Sequence, residues 1–199
     1  MGIALWLCPA SSAAETDLSS VISTLSSTHS TPLFSPHVTL ISGIPSPTPL
    51  PEILSQLTTA VSSYRAAHTP PLTLTLSDLG TRAAHGNYFQ FVFARVLADR
   101  PLLDLRKAVR AALFPEQVAA GEGDAYFPHL SLAYGEDAPE EGRIAVGIIE
   151  KLVKEGTAKE GEGERWSVGG VEEVEVLEVK VVRCDGKPEE WKVLGSVPL

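Results

Sequence analysis

The sequence has few cysteines, which excludes several kinds of site. Only Cys8 and Cys184 occur among its 199 residues, and two thiols cannot build a disulfide framework or, by themselves, a tetrahedral metal site. Neither lies at a helix start or in a basic context that would favour a thiolate nucleophile. We therefore expect two reduced thiols on strands of an intracellular protein.

Basic residues are also scarce. The chain has 16 Lys and Arg against 25 Asp and Glu, which gives a formal net charge of −9 at pH 7 and a pI near 5.0. Because phosphate backbones are held by clustered Lys and Arg, this balance opposes a groove for a long nucleic acid. A small anionic ligand in a local pocket remains compatible with it.

Long apolar runs are missing as well. No run approaches the roughly eighteen uninterrupted apolar residues that a membrane helix needs. The apolar N-terminus lacks a basic start, and Pro9 interrupts it far short of a signal core. We expect a soluble, cytoplasmic chain without a membrane partner. Its length and its 44% hydrophobic residues suit one domain, or two lobes that share a core.

The spacing of apolar residues predicts alternating helices and strands. Helices are predicted from Ser12 or Thr16 to about residue 27, over 53–64, from Pro101 to about 113 and from Pro139 to 153. Strands are predicted at 3–7, 37–42, 72–76, 88–96, 129–134, 174–184 and 191–197. The acidic, glycine-rich segment 155–164 is predicted to be a mobile surface loop.

An internal repeat is the most informative feature of the sequence. Residues 36–43 read PHVTLISG and residues 128–135 read PHLSLAYG, so both copies are Pro-His-apolar-hydroxyl-Leu-x-x-Gly. The second copy begins 92 residues after the first, a spacing much longer than that of stacked repeats. The repeat therefore predicts two related halves that face each other, each giving one strand to a shared cleft.

Each copy places a histidine and a hydroxyl on the same side of its strand. Side chains alternate across a strand, so His37 and Thr39 share one face, and so do His129 and Ser131. The apolar residues of both copies then face the core: Val38, Leu40, Leu130 and Leu132. A histidine buried in a core by chance would not be followed by a matching hydroxyl in two separate places.

This combination suits the opening of a cyclic phosphodiester. Such hydrolysis needs a base for water and an acid for the leaving oxygen, and histidine titrates near neutral pH. The hydroxyls of Thr39 and Ser131 can donate to the non-bridging phosphate oxygens without a metal ion. The remaining histidines lack a following hydroxyl and are interpreted as surface residues: His29, His68 and His85.

These paired motifs resemble the two-histidine (2H) phosphoesterase superfamily, whose mark is a pair of His-x-Ser/Thr-apolar sequences. Within it, the chain is similar to the cyclic nucleotide phosphodiesterases of the fungal and plant type. Further segments extend the resemblance across nearly the whole chain: 3–6 with Pro9, 88–90, 128–134 and 191–195. Departures are confined to the short loop 121–124 and the acidic segment near Gly161.

The resemblance implies a bilobal α+β fold, in which two pseudo-symmetric antiparallel sheets are backed by helices and enclose the active cleft. Residues 1–199 would form one domain of two interleaved lobes. It also implies metal-independent, cofactor-free hydrolysis of ADP-ribose 1″,2″-cyclic phosphate, a product formed downstream of tRNA splicing, and of nucleoside 2′,3′-cyclic phosphates to 2′-phosphates. We expect a small-molecule partner and a monomer, and association with an organelle such as the Golgi stays open.

The same resemblance implies roles for individual residues. His129 is the base that acts on water, and His37 is the acid that protonates the departing 3′ oxygen. Three aromatic residues are candidates to stack on a base or sugar: Tyr134, Phe89 and Trp6. Ordinary packing is an even alternative for Tyr134 and the favoured one for the other two. Trp166 and Trp191 are assigned to packing.

Two alternatives stay open at the level of the sequence. The first is an enzyme acting on 2′,3′-cyclic ends of RNA, which the acidic charge opposes unless basic residues gather at the cleft rim. The residues in question are Arg82, Arg106, Lys107 and Arg110. The second is a non-catalytic nucleotide-binding module, which would have no need for two titrating groups.

Overall fold

The computed structural model describes residues 2–120, 125–137 and 143–199. Within these ranges the helices are α1 (Ser12–His29), α2 (Leu50–Arg65), α3 (Arg100–Leu113), α4 (Pro115–Ala119) and α5 (Arg143–Lys154). The strands are β1 (Ile3–Leu7), β2 (Val38–Ile44), β3 (Leu72–Gly80), β4 (Val92–Val96), β5 (His129–Ala133), β6 (Ala158–Glu160), β7 (Trp166–Val168), β8 (Glu173–Val176), β9 (Glu178–Arg183) and β10 (Lys192–Pro198). The pattern predicted most of these elements to within a few residues.

Eight of the strands form one curled antiparallel sheet, in the order β10-β9-β1-β2-β5-β4-β3-β8. The first four strands make one half and the last four make the other. A single pairing, Val38 with Leu130, joins the halves where β2 meets β5. The predicted α+β class with two antiparallel halves is confirmed, and the two halves are continuous with each other at this one pair.

The halves are interleaved near the C-terminus. The segment 174–184, predicted as one strand, is two strands separated by the exposed Leu177. β8 pairs with β3 in the second half, whereas β9 pairs with β1 and β10 in the first. The prediction of a single strand is wrong because periodicity reports the alternation of side chains but carries no record of which strand each segment pairs with.

The segment 155–164 also differs from its prediction as a mobile loop. Residues 158–160 form β6, which pairs with β7 as a two-stranded antiparallel hairpin. Ala158 and Val168, a paired couple in this hairpin, are fully buried in the main core. Their burial anchors the segment in the core, although its glutamates and glycines suggested a loop.

The start of α3 is fixed by a capping side chain, whereas that of α1 is not. Asp99 caps α3, because its carboxylate accepts from the backbone N–H of Leu102 at 3.1 Å. α1 begins at Ser12, one of the two predicted positions, but the prediction that Ser12 or Thr16 caps it is wrong, since Ser11 occupies the N-cap position and Thr16 lies inside the helix. The Thr16 hydroxyl donates to the Ser12 carbonyl at 2.7 Å. The predicted helix start at Pro139 lies outside the described residues.

The strand predicted at 88–96 is shorter than expected. Tyr88–Gln90 forms a 3₁₀ turn, and β4 begins at Val92. The first repeat copy is also offset by one residue, since β2 begins at Val38, directly after His37. His37, Phe89 and Gln90 therefore lie outside the strands, and all three line the cavity described below.

Both cysteines are unpaired, and strand register explains why. β1 and β9 are antiparallel, with Ile3 opposite Arg183 and Leu7 opposite Val179. Cys8 and Cys184 therefore lie at opposite ends of this strand pair, too far apart for a disulfide. Among the described residues, no helix is long and apolar enough to cross a membrane.

Gly80 permits a close approach that supports the second half of the sheet, and its substitution tests this packing. A Cβ at Gly80 would lie 2.9 Å from the ring of Phe93, which packs against His129. We expect Gly80→Ala to lower the free energy of unfolding by about 1–3 kcal/mol in urea titrations, because the ring must move within a packed core. Gly147→Ala in α5 is the control: a Cβ there meets nothing within 4 Å, so we expect a gain of up to about 1 kcal/mol. Equal effects of the two substitutions would contradict this account.

Candidate active site

The pairing of Val38 with Leu130 brings the two repeat copies together. Because β2 and β5 are antiparallel there, one step along each strand sets Ser131 opposite His37 and His129 opposite Thr39. The two copies are thus related by a local two-fold axis at this pair. Both histidines line one cavity of about 440 Å³. Every residue proposed for the site from the sequence lines that cavity: Trp6, His37, Thr39, Phe89, His129, Ser131 and Tyr134.

His37 is held rigidly within the cavity wall. It is 5% exposed, and its ring stacks on Trp6 with centroids 3.6 Å apart and planes at 7°. Nδ1 lies 2.7 Å from the carbonyl oxygen of Ser35, and since a carbonyl can only accept, Nδ1 carries the proton. Nε2 of the neutral ring is then the acceptor nitrogen, and the Tyr134 hydroxyl can donate to it at 3.5 Å.

His129 repeats this arrangement in the second half. Its Nδ1 lies 2.8 Å from the carbonyl oxygen of Phe127, again two residues earlier in the chain. The same tautomer follows, with Nε2 unprotonated in the neutral ring. His129 is less buried than His37, and Phe93 contacts its ring edge-on at 5.4 Å between centroids. Each repeat copy therefore prepares one imidazole nitrogen to accept or deliver a proton.

Burial makes both rings hard to protonate in the empty cleft. Desolvation lowers the pKa of His37 from 6.5 to about 4, with the Ser35 carbonyl opposing the shift and the nearby His129 adding to it. The pKa of His129 is also lowered, first by burial and then by the charge of Arg82, while the Phe127 carbonyl opposes the change. At neutral pH both imidazoles are neutral before an anionic ligand arrives.

The two motif hydroxyls differ in burial and in hydrogen bonding. Ser131 is buried, and its hydroxyl donates to the carbonyl oxygen of Phe89 at 2.9 Å. Thr39 is half-buried, and within the described part of the chain its hydroxyl makes no hydrogen bond. Its backbone carbonyl instead accepts from the Tyr126 hydroxyl at 3.1 Å. Thr39 can bond a ligand as it stands, whereas Ser131 must first rotate.

The three aromatic candidates occupy different situations. Tyr134 is 2% exposed and stacks on Phe34 at 3.8 Å between centroids, while burial raises the pKa of its hydroxyl. Trp6 is buried, with His37 covering one face of its indole. Phe89 is 42% exposed and contacts Tyr134 edge-on. Of the three, only Phe89 offers a largely open ring to a ligand.

Basic residues contribute little to the cavity wall. None of the described residues that line it is Lys or Arg. Arg106 donates to the carbonyl of Leu40 and lies over the ring of Tyr126, with its guanidinium carbon 3.9 Å from the centroid. The gathering of α3 basic residues that an RNA-end enzyme would require is not found at the described cavity. Of the four basic residues considered from the sequence, Arg82 is the one whose charge acts on His129, although it does not line the cavity.

The sequence can now be compared with known proteins. The family model described as "Cyclic phosphodiesterase-like protein" matches residues 1–199. The chain belongs to this family. Membership confirms the predicted 2H phosphoesterase superfamily and the predicted enzyme class, so this protein is a phosphodiesterase and hence a hydrolase.

Relatives match this chain over almost its full length. The 2′,3′-cyclic-nucleotide 3′-phosphodiesterase of Kluyveromyces lactis is 26% identical over 215 residues, covering 99% of this chain and 98% of the relative. A crystal structure of a phosphoesterase covers 99% of this chain and 97% of its own, with a TM-score of 0.56 and 16% identity. E. coli LigT complexed with 3′-AMP covers 100% and 97%, with a TM-score of 0.55 and 14% identity. At such identities the solved structures show a shared fold.

Sequence reasoning missed an aromatic residue of the cavity wall. Trp191, assigned to packing, lines the cavity and lies 5.7 Å from Trp6 and 5.9 Å from Phe89 between ring centroids. Its indole N–H is buried and has no hydrogen-bond partner in the described ranges. The signal was available, since Trp191 begins the terminal segment that carries part of the family resemblance. Cys184 also lines the cavity, and burial raises the pKa of its thiol to about 11.

One of the three histidines assigned to the surface is partly enclosed. His68 stacks on Tyr64 at 4.6 Å between centroids, and its Nε2 lies 3.1 Å from a carboxylate oxygen of Asp104. Its interpretation as a free surface residue is wrong because the end of α2 packs beside the start of α3. His85 is exposed and His29 is half-buried at the end of α1. None of the three lines the cavity of about 440 Å³.

The depressed pKa of His37 predicts how stability responds to acid. Because its folded-state pKa, about 4, lies below the usual 6.5, the unfolded state takes up the proton first. The contribution to stability is fully present above pH 6.5 and is lost as pH falls towards 4, by about 3 kcal/mol in total. In urea titrations across this range, we expect His37→Gln to flatten the loss of unfolding free energy. His85→Gln, which removes an exposed histidine, should keep the wild-type slope; an unchanged slope in His37→Gln would refute the buried, neutral state of His37.

Proposed function

We propose that this enzyme hydrolyses nucleoside 2′,3′-cyclic phosphates to nucleoside 2′-phosphates and ADP-ribose 1″,2″-cyclic phosphate to ADP-ribose 1″-phosphate. The observation that carries the proposal is the matched pair of imidazoles that line one cavity, each with Nδ1 bound to the carbonyl two residues earlier and Nε2 as its acceptor nitrogen. A relative whose name specifies a 2′,3′-cyclic nucleotide and a 3′-phosphodiesterase supports retention of phosphate on the 2′ oxygen. Residues 1–199 would act as a single domain and a monomer.

The cavity suits a small cyclic phosphate in both size and chemistry. Its volume, about 440 Å³, lies within the range of small-molecule sites. Two hydroxyls opposite the two histidines supply donors for the non-bridging oxygens, and Phe89 supplies an open face for a base. Trp6 would support His37 by stacking on its ring. Tyr134 would support it by a hydrogen bond to Nε2.

We assign His129 as the base on water and His37 as the acid to the 3′ oxygen. In-line displacement requires the two groups on opposite sides of phosphorus, and the local two-fold arrangement of the motifs favours this. The low pKa of His37 disfavours its protonated form in the empty cleft. Binding of the phosphate anion stabilises a neighbouring imidazolium, so the substrate itself would bring the acid into its protonated state.

Turnover of defined cyclic phosphates tests the proposed function directly. Incubated in EDTA with adenosine 2′,3′-cyclic phosphate or ADP-ribose 1″,2″-cyclic phosphate, the purified enzyme should form one phosphomonoester from each, assigned by phosphorus NMR. We expect EDTA to have no effect, since the described residues hold no group of three or more His, Cys, Asp or Glu side chains suited to a metal ion. A 3′-phosphate product would overturn the proposed regiochemistry, and loss of turnover restored by Zn²⁺ or Mg²⁺ would overturn metal independence. Binding without turnover would favour the nucleotide-binding module.

The assignment of acid and base has its own test. His37→Ala and His129→Ala should each lower kcat by about a hundredfold to ten-thousandfold, the size of one acid or base contribution. A substrate with an activated leaving oxygen needs little protonation, so it should rescue His37→Ala much better than His129→Ala. Thr39→Val or Ser131→Ala should cost less, because each removes one hydrogen bond among several.

The controls for this test are a pH profile and an unrelated histidine. Wild-type kcat/KM should be bell-shaped, with two apparent pKa values that belong to the coupled pair. Each alanine variant should lose one limb of the bell, and His85→Ala should keep both limbs and the wild-type rate. Equal rescue of both alanine variants, or rescue of His129→Ala alone, would show that the roles are assigned the wrong way round or are shared.

A further inference from the structure

Two arginines flank one aromatic ring next to His129. The guanidinium carbon of Arg82 lies 3.8 Å from the ring centroid of Phe127, and that of Arg95 lies 5.4 Å from the same centroid. Phe93 contacts the ring edge-on at 5.3 Å, which fixes its plane. Phe127 is also the residue whose carbonyl accepts from His129. The two cations are therefore anchored to the segment that orients one of the two cleft histidines.

Strand register places both cations on the cleft side of the second half. Arg95 in β4 pairs directly with His129 in β5, and residues opposite each other on neighbouring strands share a face. Arg82 follows β3, and its backbone N–H donates to the carbonyl of Gln90 at 2.8 Å. Its guanidinium also donates to the side-chain oxygen of Gln90 at 3.4 Å. Because Gln90 lines the cavity, Arg82 lies directly behind the cavity wall, and Arg95 lies beside His129 on the neighbouring strand.

Within the described ranges, no ion pair neutralises these two cations. Although the chain has 25 Asp and Glu and a net charge of −9, no carboxylate of the described residues lies within ion-pair distance of Arg82 or Arg95. Arg100 and Arg165, by contrast, pair with Asp104 at 3.5 Å and with Glu173 at 3.0 Å. Arg95 is exposed and Arg82 is half-buried. Two adjacent, unpaired guanidinium groups beside a cleft favour an anion there.

We propose that Arg82 and Arg95, mounted on Phe127, form a subsite for a second phosphate of the substrate, beyond the cyclic phosphate held between the histidines. One face of the Arg82 guanidinium covers Phe127, so the edge not bonded to Gln90 remains to donate to phosphate oxygens in the fork geometry that arginine provides. The subsite rests on the proposed function, and it selects cyclic phosphates that also carry a diphosphate or a phosphodiester. A nucleoside 2′,3′-cyclic phosphate with no other phosphate would leave it empty.

The test compares substrates that share a cyclic phosphate and differ in the second phosphate. Three substrates provide this contrast: adenosine 2′,3′-cyclic phosphate, ADP-ribose 1″,2″-cyclic phosphate and a diadenosine ending in a 2′,3′-cyclic phosphate. We expect Arg82→Gln and Arg95→Gln to lower kcat/KM roughly tenfold to a hundredfold for at least one substrate with a second phosphate, the size of a lost charge-assisted hydrogen bond. For adenosine 2′,3′-cyclic phosphate the loss should stay below about threefold. Which of the two larger substrates responds identifies the diphosphate or the phosphodiester as the ligand of the subsite.

Arg100→Gln is the matched control, because it removes an equal charge from an exposed side chain that pairs with Asp104 away from the cavity. It should leave all three kcat/KM values within about twofold of wild type. Raising the ionic strength should shrink the wild-type preference for the second phosphate, since screening weakens an exposed charge contact. Arg95→Gln guards against misfolding of the other variant, because Arg95 is exposed and replacing it opens no cavity.

The outcomes separate the subsite from the proposed function. Equal losses on all three substrates would overturn the subsite and make Arg82 a support for Phe127 and His129 only. If wild type opened none of the cyclic phosphates, the proposed function would fail, and the subsite would be decided by calorimetry with ADP as the probe. At least a tenfold weaker Kd for ADP in Arg82→Gln than in Arg100→Gln would support the subsite, and equal Kd values would overturn it.

Discussion

The arrangement of the site depends on one backbone pairing, that of Val38 with Leu130. Because the strands are antiparallel, this pair acts as a local two-fold axis, and identical short sequences on the two strands become two-fold mates. Each histidine then lies across from the hydroxyl of the other copy, and all four side chains face one cavity. A shift of register by one residue would turn these side chains into the core and the apolar ones into the cleft.

The backbone also controls the chemistry of the two imidazoles. In both copies the carbonyl two residues before the histidine accepts from Nδ1, which leaves Nε2 as the acceptor nitrogen of each neutral ring. Desolvation lowers the pKa of both rings, so the empty cleft holds neutral imidazoles and little positive charge. In the proposed mechanism an incoming phosphate stabilises an imidazolium, which would favour anionic substrates over neutral ones of the same shape.

Charge is distributed unevenly over this acidic protein. No Lys or Arg lines the described cavity itself, while two arginines lie just beyond His129 on the ring of Phe127. Recognition of a phosphate in the cavity would thus come from hydroxyls and imidazoles, and recognition of a further phosphate from guanidinium groups. Such a division lets the protein keep a net charge of −9 without repelling a small anion from its cleft.

The sequence alone determined the features that repeat or alternate locally. The two copies of Pro-His-apolar-hydroxyl-Leu-x-x-Gly predicted two halves, and the alternation within each copy predicted which side chains share a face, because a strand has a period of two whatever it pairs with. The sequence did not predict which distant segments contact each other. Only the tertiary structure decided that the segment 174–184 splits at Leu177 between two halves, that Ala158 and Val168 anchor a hairpin in the core, and that Trp191 joins the cavity. Each of these outcomes depends on contacts between segments far apart in sequence, and local periodicity carries no information about such contacts.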